Sequence, residues 1–415
     1  MKDDTSNNHI GCRVTRWRKR RGLTQRAFAD LCGRSLSWVE KIESGERELN
    51  RLPILAHVAD VLNVTVETLL GTQTSTPAAR TLDTFEISAV RAALQTPHAI
   101  SSIFRPLPHG GEPVALHVLD RHLDHTWASF QNANWKQLGR TLPHLLTHAQ
   151  QAATAHTGQS DAAIRTRALL SRTYQVTASC LFKLKEADLA WIAVERSLTH
   201  AETTGDPLFI SDAARRVAQG LMAIGQHESA LTLIRATIDR LEPGRGTGSP
   251  AHLSLYGMQF LMGAVIAAKA RKPNLAQDLL TEGHSVARQL GYDGNEHFTA
   301  FGPTNVHLHQ VSVLIDLGEG DAAAHATRNV SLDHLARLPK ERRANFHIDI
   351  ARAHSLAGRS TDSAKALLRA DALFPNEIRY RPAATALVGN LLRRTSDSLA
   401  DDMRQLANRT GVHHE

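Results

Sequence analysis

The 415-residue chain contains little cysteine and few aromatic residues. Its three cysteines, Cys12, Cys32 and Cys180, are an odd number without a CxxC pair, which argues against a disulfide framework and predicts free thiols in a reducing compartment. Aromatic residues make up only 5% of a chain that is 42% hydrophobic. The apolar content therefore comes mainly from Ala and Leu, which favour helices. We expect a globular protein built from helices.

Long uninterrupted apolar runs are also scarce. The N-terminal sequence MKDDTSNNHIG lacks the apolar segment of a signal peptide. The longest apolar-leaning run, near Tyr256–Ala270, is interrupted by Gln259 and is shorter than a bilayer requires. We expect a cytoplasmic protein without a membrane partner, associated with the nucleoid if it binds DNA.

Recognisable catalytic, metal-binding and nucleotide-binding motifs are missing as well. The 23 histidines form no HExxH, zinc-knuckle or Cys/His pattern. There is no Walker A sequence, no GxGxxG after a strand, and no Ser or Cys with the neighbours of a known nucleophile. We expect no catalytic residue, no metal site and no cofactor, and a protein that is not an enzyme.

The most informative segment that is present, Leu23–Arg47, predicts two short helices joined by a tight turn. The helices are expected at Gln25–Leu31 and Leu36–Ser44, each preceded by a hydroxyl residue that can cap it. Gly33 supplies the backbone freedom for the turn. Apolar residues stand where two such helices would meet: Ala27, Phe28, Leu31, Val39 and Ile42. A pair of this kind can place its second helix in the major groove of DNA.

Positive charge is concentrated in the same part of the chain. The whole chain has a formal net charge of +7, and residues 10–47 carry ten Lys/Arg against four Asp/Glu, a net of +6. Nearly all of the excess positive charge therefore lies beside the paired helices. This distribution favours a polyanionic partner at that end.

Residues 10–71 resemble the lambda-repressor-like, or XRE-type, helix-turn-helix domain. The resemblance rests on RRGLTQRAFA, on the turn CGRS, on WVEKIESGER and on LPILAHVADVLNVTVETLLG. It implies five helices: Ile10–Arg21, Gln25–Leu31, Leu36–Ser44, Leu52–Leu62 and Val66–Leu70. The chain departs from the family at the turn, where Arg34 replaces the usual hydrophobic residue.

The resemblance implies that the third helix reads double-stranded DNA in the major groove. The residues expected at base edges are Ser35, Leu36, Ser37, Glu40 and Lys41. The residues expected at phosphates are Arg16, Arg20, Gln25, Arg34, Trp38 and Arg47. Trp38 is expected to face away from the core stripe of Val39 and Ile42, and packing against the fourth helix is its alternative. Core packing is the alternative for Leu36, and a solvent-facing position or an ion pair within the domain is the alternative for Glu40. One domain of this size buries too little surface to bind tightly, so a homodimer on an inverted-repeat operator is expected.

Most of the chain follows this segment. Residues 1–9 are predicted to be a disordered tail, residues 72–80 a linker containing TQTSTPAA, and Ile103–Pro113 a second loop. Residues 81–411 have a helical pattern without strand-like alternation. Within them, short turns precede alanines spaced by 40, 46, 47 and 41 residues: Ala190, Ala230, Ala276, Ala323 and Ala364. The pattern predicts antiparallel helical hairpins stacked into an α-solenoid with a concave face.

This part of the chain resembles a tetratricopeptide-like array with lengthened repeats. The fold class is therefore expected to be all-α, with a five-helix DNA-binding domain followed by the array, and the composition resembles proteins of high-GC actinobacteria. In some such regulators the array binds a signalling peptide or another small ligand and controls the DNA-binding domain. We expect the array of this chain to act as sensor and dimerisation domain in the same way. Inner-helix residues are the expected ligand contacts: Arg216, Gln219, Gln259, Asn305, His309 and Gln310.

Two functions remain open from the sequence. The first is a dimeric, sequence-specific transcriptional regulator whose array responds to a ligand. The alternative is a protein-interaction scaffold, an antitoxin or a plasmid-maintenance factor, which DNA binding would only tether. The two differ in whether a ligand changes the affinity for DNA.

Overall fold

The computed structural model describes residues 10–20, 23–47, 49, 52–62, 69, 87–95, 114–184, 186–246, 248–379, 381–394 and 397–412. The chain forms two compact units, Met1–Leu82 and Asp83–Glu415. Every regular element in these residues is helical, which confirms the all-α fold class. The predicted tail, the linker and the loop at Ile103–Pro113 lie outside the described residues.

The first unit contains four helices close to those expected: α1 (Ile10–Arg20), α2 (Gln25–Leu31), α3 (Leu36–Glu43) and α4 (Leu52–Leu62). Two of them end one residue earlier than expected, which is within the usual uncertainty of helix ends. Of the predicted fifth helix, Val66–Leu70, only Leu69 is described, and it is helical and fully buried.

The core of this unit lies between these helices. Phe28, Val39 and Ile42 are buried as expected. Ala27 is only half-buried and the neighbouring Ala29 takes its place in the core, because the contact stripe of α2 is rotated by about one residue from the predicted one. The side chain of Leu31 is outside the described residues.

Caps and a tight turn fix the geometry of α2 and α3. The Thr24 hydroxyl accepts a hydrogen bond from the Ala27 N–H at 3.1 Å, and the Ser35 hydroxyl accepts one from the Trp38 N–H at 3.3 Å. Gly33 adopts φ +61°, which a residue without Cβ accepts at little cost. The Arg34 N–H then reaches the Ala29 carbonyl at 2.9 Å. This is the backbone pattern of a Schellman motif, and it ends α2 sharply.

The second unit begins its described part with a helical stretch at 87–95. It continues with α5 (Leu116–Gln131), α6 (Trp135–Ala155), α7 (Asp161–Lys183), α8 (Ala187–Glu202), α9 (Pro207–Ala223), α10 (His227–Leu241), α11 (Pro250–Lys269), α12 (Pro273–Leu290), α13 (Pro303–Leu317), α14 (Gly320–Ala326), α15 (Leu332–Arg337), α16 (Lys340–Leu356), α17 (Ser360–Leu373), α18 (Pro375–Arg379), α19 (Pro382–Leu392) and α20 (Asp397–Thr410).

The hairpins repeat one backbone turn. In each of six turns an N–H bonds to the carbonyl five residues earlier, at 2.8–3.0 Å: Asn134 to Ser129, Glu186 to Leu181, Gln226 to Leu221, Lys272 to Ala267, Glu319 to Leu314 and Arg359 to His354. Four residues after the donor, the predicted Ala190, Ala230, Ala276 and Ala323 are fully buried. In the last hairpin the equivalent residue is Ser363, not Ala364, and its hydroxyl donates to the Ala351 carbonyl at 2.7 Å.

The first helices of the hairpins form the inner layer of the array. Helices α5, α7, α9, α11, α13 and α16 contact one another in that order, and α16 also contacts α5. The inner layer therefore closes into a ring. This refines the predicted concave face, which is the lining of the ring rather than an open groove.

The apolar run near Tyr256–Ala270 belongs to a longer helix than expected. Helix α11 has 20 residues and is long and apolar enough to cross a membrane by length and composition, but 78% of its most apolar window is buried inside the protein. It contacts α9, α10, α12 and α13. Its apolar character is thus explained by its central position in the array.

Candidate nucleic-acid interface and array cavity

The exposed face of α3 carries the side chains expected at base edges. Ser37, Glu40 and Lys41 are exposed, and their i, i+3, i+4 spacing places them on one side of the helix. Ser35 is exposed at the N-cap, while Leu36 is half-buried. The opposite side of α3 holds Val39 and Ile42 in the core. Packing against the other helices therefore turns a short row of polar side chains outward.

A buried polar network holds α3 against the two preceding helices. Arg18 on α1 makes two hydrogen bonds to the carboxylate of Glu43, at 2.5 and 2.9 Å, and a third to the Leu23 carbonyl at 2.7 Å. Gln25 donates its side-chain amide to Glu43 at 2.9 Å. The Arg18 and Glu43 side chains are only 8% and 6% exposed. A bidentate pair with these partners fixes the direction of α3.

The electrostatics of this network favour the ion pair. Burial opposes ionisation of Glu43, but its hydrogen bonds with Arg18 and Gln25 keep its pKa below the ordinary value. The same hydrogen bond raises the pKa of Arg18 against the effect of burial. Sequence reasoning missed Arg18, because its position in the run RWRKRR looks the same as that of its exposed neighbours.

The phosphate candidates occupy different environments. Arg16, Arg34 and Arg47 are exposed, while the side chain of Arg20 is outside the described residues. Gln25 is half-buried and already donates to Glu43, which leaves its second amide hydrogen for another acceptor.

Trp38 is not placed as the sequence suggested. It is 8% exposed and belongs to the core of the unit, so the view that it faces away from the core is corrected in favour of the alternative, core packing. The Arg34 guanidinium lies 5.7 Å from the centre of its ring. Arg34 therefore covers Trp38 on the outside, where the turn of α2 and α3 brings the two side chains together.

The ring of inner helices surrounds a cavity of about 400 Å³ in the second unit. Of the six predicted ligand contacts, Arg216, Gln219, Asn305 and His309 line it. The other two do not. Gln259 is fully buried and donates to the Ser211 carbonyl at 2.9 Å, and Gln310 is half-buried outside the cavity lining. Both are polar residues of inner helices, but membership of an inner helix does not decide which side chains face the cavity.

Buried ion pairs connect distant helices at the edge of this cavity. Lys183 at the end of α7 lies 2.9 Å from Glu341 on α16 and 3.0 Å from Glu377 on α18. Arg381, just before α19, lies 2.9 Å from the same two carboxylates. Burial opposes ionisation of Glu341, but Lys183, Arg342 and Arg381 hold its pKa well below the ordinary range. The carboxylate is therefore charged and shared between cations from both sides of the ring.

Most of the charged residues that line the cavity were not predicted from the sequence, although the spacing of polar residues along two helices indicates them. On α13 the lining residues are Asn305, Leu308, His309 and Ser312, and on α16 they include Glu341, Asn345, Asp349 and Arg352. The first set has the spacing i, i+3, i+4, i+7 and the second has i, i+4, i+8, i+11, and each spacing places its residues on one helix face. A polar stripe of this kind within an array of apolar hairpins indicates a surface that faces an internal cavity.

Residues 9–70 match the family model of a helix-turn-helix domain. This is the part of the chain that holds α1 to α4, the capped turn and the exposed face of α3. The first unit is therefore a helix-turn-helix domain, and the second is a helical array.

Comparisons with whole proteins are less informative. Among curated proteins no match to this chain is found. Among solved structures the chain is similar to PlcR of Bacillus thuringiensis in complex with the peptide PapR7 and DNA. The two share 14% sequence identity over 68% of this chain and 95% of that one, with a TM-score of 0.28.

The side chains that could bind a metal ion are dispersed over the described residues. Among the described residues, no group of three or more His, Cys, Asp or Glu side chains is arranged to hold a metal ion. Cys12, Cys32 and Cys180 form no disulfide in the described part of the chain, and burial raises the pKa of Cys32 to about 11 and that of Cys180 to about 12.

Proposed function

We propose that the protein is a dimeric, sequence-specific transcriptional regulator. Its helix-turn-helix domain would bind an inverted-repeat operator, with one α3 in each half-site. The array would bind a signalling peptide or small ligand, contribute to dimerisation, or both, and so control the affinity for DNA in the cytoplasm.

The observation that carries this proposal is the exposed polar face of α3 in a domain of the helix-turn-helix family. Ser37, Glu40 and Lys41 point outward from a helix whose other side is fixed in the core. Lys41 can donate to guanine O6 or N7, Glu40 can accept from cytosine N4, and Ser37 can do either. A helix held by a buried Arg18–Glu43 pair can present these groups without rearrangement.

The surrounding cations suit the phosphate backbone. Exposed Arg16, Arg34 and Arg47 are proposed to contact phosphates, which positions the domain without reading sequence. Gln25 is proposed to donate its second amide hydrogen to a phosphate while Glu43 holds its orientation. Glu43 would then link the phosphate contact to the direction of α3.

The array is proposed as the ligand-sensing part because it encloses a cavity lined by polar and apolar side chains. Known small-molecule sites occupy roughly 300–1,000 Å³, and the cavity falls in that range. A molecule bound among six inner helices would contact several hairpins at once. Its binding energy can therefore shift the arrangement of the whole ring.

Genome-wide mapping by chromatin immunoprecipitation in the host tests this function. A regulator of this kind is expected to occupy a few promoters that share an inverted repeat. A diffuse signal, or none, would contradict the proposal and favour the scaffold or antitoxin alternative, in which the array supplies the function through a protein partner.

A further inference from the structure

The cations that line the array cavity are almost all paired with carboxylates. Each of the following lies within 4 Å of at least one Asp or Glu oxygen: Lys183, Arg215, Arg342, Arg352 and Arg381. The carboxylates that pair with them are Asp212, Asp316, Glu341, Asp349 and Glu377. Arg216 is the sixth cation of the lining and has no carboxylate within that distance among the described residues. Arg216 is therefore the lining cation whose guanidinium is left without a direct carboxylate partner in this part of the structure.

The contacts around Arg216 leave its guanidinium able to bind an anion. Its Nη1 lies 3.3 Å from the Gln219 Oε1, its Nε is buried without a hydrogen-bond partner in the described part of the chain, and its guanidinium lies 5.4 Å from the centre of the Trp127 ring. Burial and the adjacent Arg215 lower the pKa of Arg216 to about 9. Asp212 and Glu341 oppose this lowering without a direct ion pair to Arg216, so a carboxylate that arrives with a ligand would supply the charge-assisted hydrogen bond to an anion that the described residues do not provide.

Two acceptors line the same cavity. Asn305 is fully buried and its Oδ1 has no hydrogen-bond partner among the described residues, although its Nδ2 contacts the Met258 sulfur at 3.9 Å. His309 Nδ1 lies 2.8 Å from the Asn305 carbonyl, so that nitrogen must carry the proton. Burial and Arg342 lower the pKa of His309 to about 4, which keeps the ring neutral and makes Nε2 an acceptor. These groups require a ligand that donates hydrogen bonds.

Large apolar side chains form the remaining wall. Phe298 stacks on Trp127 with ring centres 5.2 Å apart and an interplanar angle of 7°. Phe130, Phe182, Met258 and Leu308 also line the cavity. Their presence beside Arg216 favours an apolar body attached to the charged group.

We propose that the cavity binds a small organic acid with an apolar body, whose carboxylate pairs with Arg216 and whose neighbouring N–H or O–H donates to Asn305 or His309. An N-acyl amino acid and a hydroxy fatty acid share this chemistry. The proposal rests on the proposed function and specifies the ligand class of the sensing site.

The first experiment measures binding by isothermal titration calorimetry with the full chain. The probes are N-octanoyl-leucine, which donates through an amide, 3-hydroxydecanoate, which donates through a hydroxyl, and the methyl ester of each. The wild-type protein is expected to bind at least one acid about 10- to 100-fold more tightly than its ester, the range that corresponds to one hydrogen bond to a charged group. The identity of the acid that binds shows whether the ligand donates through an amide, as an N-acyl amino acid does, or through a hydroxyl, as a hydroxy fatty acid does.

Substitutions then assign the preference to Arg216. Arg216→Gln should remove the difference between acid and ester, whereas Arg240→Gln, at an exposed position on the outer helix α10, should leave it unchanged. Gln219→Glu is the more specific test, because it keeps the size of the side chain and places a carboxylate beside the Arg216 guanidinium. It should raise the melting temperature and abolish binding of the acid.

The results separate this proposal from the function on which it rests. Equal affinity for acid and ester, no binding of either acid by the wild type, or a Gln219→Glu variant that still binds the acid would each overturn the inference of a carboxylate site. If the acid binds through Arg216 but leaves DNA affinity unchanged, the site is confirmed and ligand control of DNA binding is wrong. An extended peptide that binds independently of Arg216 would also overturn the inference.

Discussion

At the scale of single residues, a few buried charged groups hold the array together. Glu341 is 8% exposed and accepts from two cations that are distant in the sequence, Lys183 at the end of α7 and Arg381 just before α19. Removing one partner of a buried ion pair leaves the other charges buried without compensation, which costs far more than the pair itself contributes. The carboxylate of Glu341 is therefore expected to matter more than any ion pair at the surface.

Replacing this carboxylate tests the expectation. Glu341→Gln should lower the free energy of unfolding by about 3–5 kcal/mol, because Lys183 and Arg381 lose a shared anion. The matched control is Asp321→Asn, which breaks an Arg359 pair whose side chains are 38% and 82% exposed and should cost less than about 1 kcal/mol. Urea unfolding followed by circular dichroism measures both. Equal effects would show that the buried cluster does not stabilise the array.

The buried His309 makes the stability of the protein depend on pH, in the same direction as the other histidines whose pKa is lowered, His148, His284, His347 and His354. The folded-state pKa of His309, about 4, lies below the ordinary value of 6.5, so the unfolded chain binds the proton more readily between these values. Stability is then full above pH 6.5 and falls as the pH drops towards 4. His309→Gln should reduce this loss of stability by about 1–3 kcal/mol. His325→Gln, at an exposed position on α14, should leave the loss of stability unchanged. Melting temperatures of the three proteins between pH 4 and 7 give the comparison.

Glu341 adds to the loss of stability in more acidic solution. Its folded pKa lies well below the ordinary value of 4.5, so it stabilises the folded state above pH 4.5 and this contribution is lost as the pH falls further. A wild-type melting temperature that stayed constant from pH 7 to pH 3 would contradict both assignments.

At the scale of elements, the fold follows largely from local signals. The caps at Thr24 and Ser35, the turn at Gly33 and the spacing of apolar residues predict α2 and α3 correctly, because each acts within a few residues. The repeated small residues predict the hairpins for the same reason. The predicted equivalence of Ala364 is wrong by one residue, since Ser363 is also small and the turn alone sets the register.

Features that depend on distant parts of the chain could not be predicted in this way. Lys183 and Glu341 meet only because the ring of inner helices closes, and no local pattern of either segment encodes that contact. The prediction that Trp38 faces away from the core is wrong, because the periodicity of an eight-residue helix does not show which of its side chains the other helices bury. Gln259 is predicted to face the cavity, but its side-chain amide donates a hydrogen bond to the Ser211 carbonyl inside the core.

Two helical glycines provide a matched test of the packing between elements. A Cβ at Gly257 on α11 would lie 2.0 Å from Cζ of the fully buried Phe301, whereas a Cβ at Gly389 on α19 would meet its nearest neighbour, a methyl of Val412, at 3.6 Å. Gly257→Ala should therefore cost about 1–3 kcal/mol by overpacking. Gly389→Ala should stabilise by about 0.5–1 kcal/mol, because alanine favours the helix. Urea midpoints that shift in the same direction would contradict the packing described here.

At the scale of the whole molecule, the chain joins a helix-turn-helix domain to a ring-shaped helical array with an internal cavity. The domain concentrates positive charge and presents α3, while the array supplies a site that a ligand can occupy. The proposed regulator requires both, with the base-reading chemistry in the first unit and its control in the second.

Lys41 is proposed to read a base edge, and this proposal makes a specific prediction for DNA binding. Lys41→Ala should lower the affinity for the preferred DNA site by about 1–3 kcal/mol and leave binding to random DNA nearly unchanged. Lys365→Ala removes the same charge from an exposed position on α17 of the array and should change neither. Arg47→Ala, at a proposed phosphate contact, should weaken all DNA similarly.

Selection of bound sequences from a random double-stranded DNA library by the purified full-length protein tests the central claim most directly. We expect the wild-type protein to enrich an inverted repeat, Lys41→Ala to relax the preference at one position of each half-site, and Lys365→Ala to keep the preference. Absence of any enriched sequence, or the same motif from the wild type and Lys41→Ala, would contradict sequence recognition by α3.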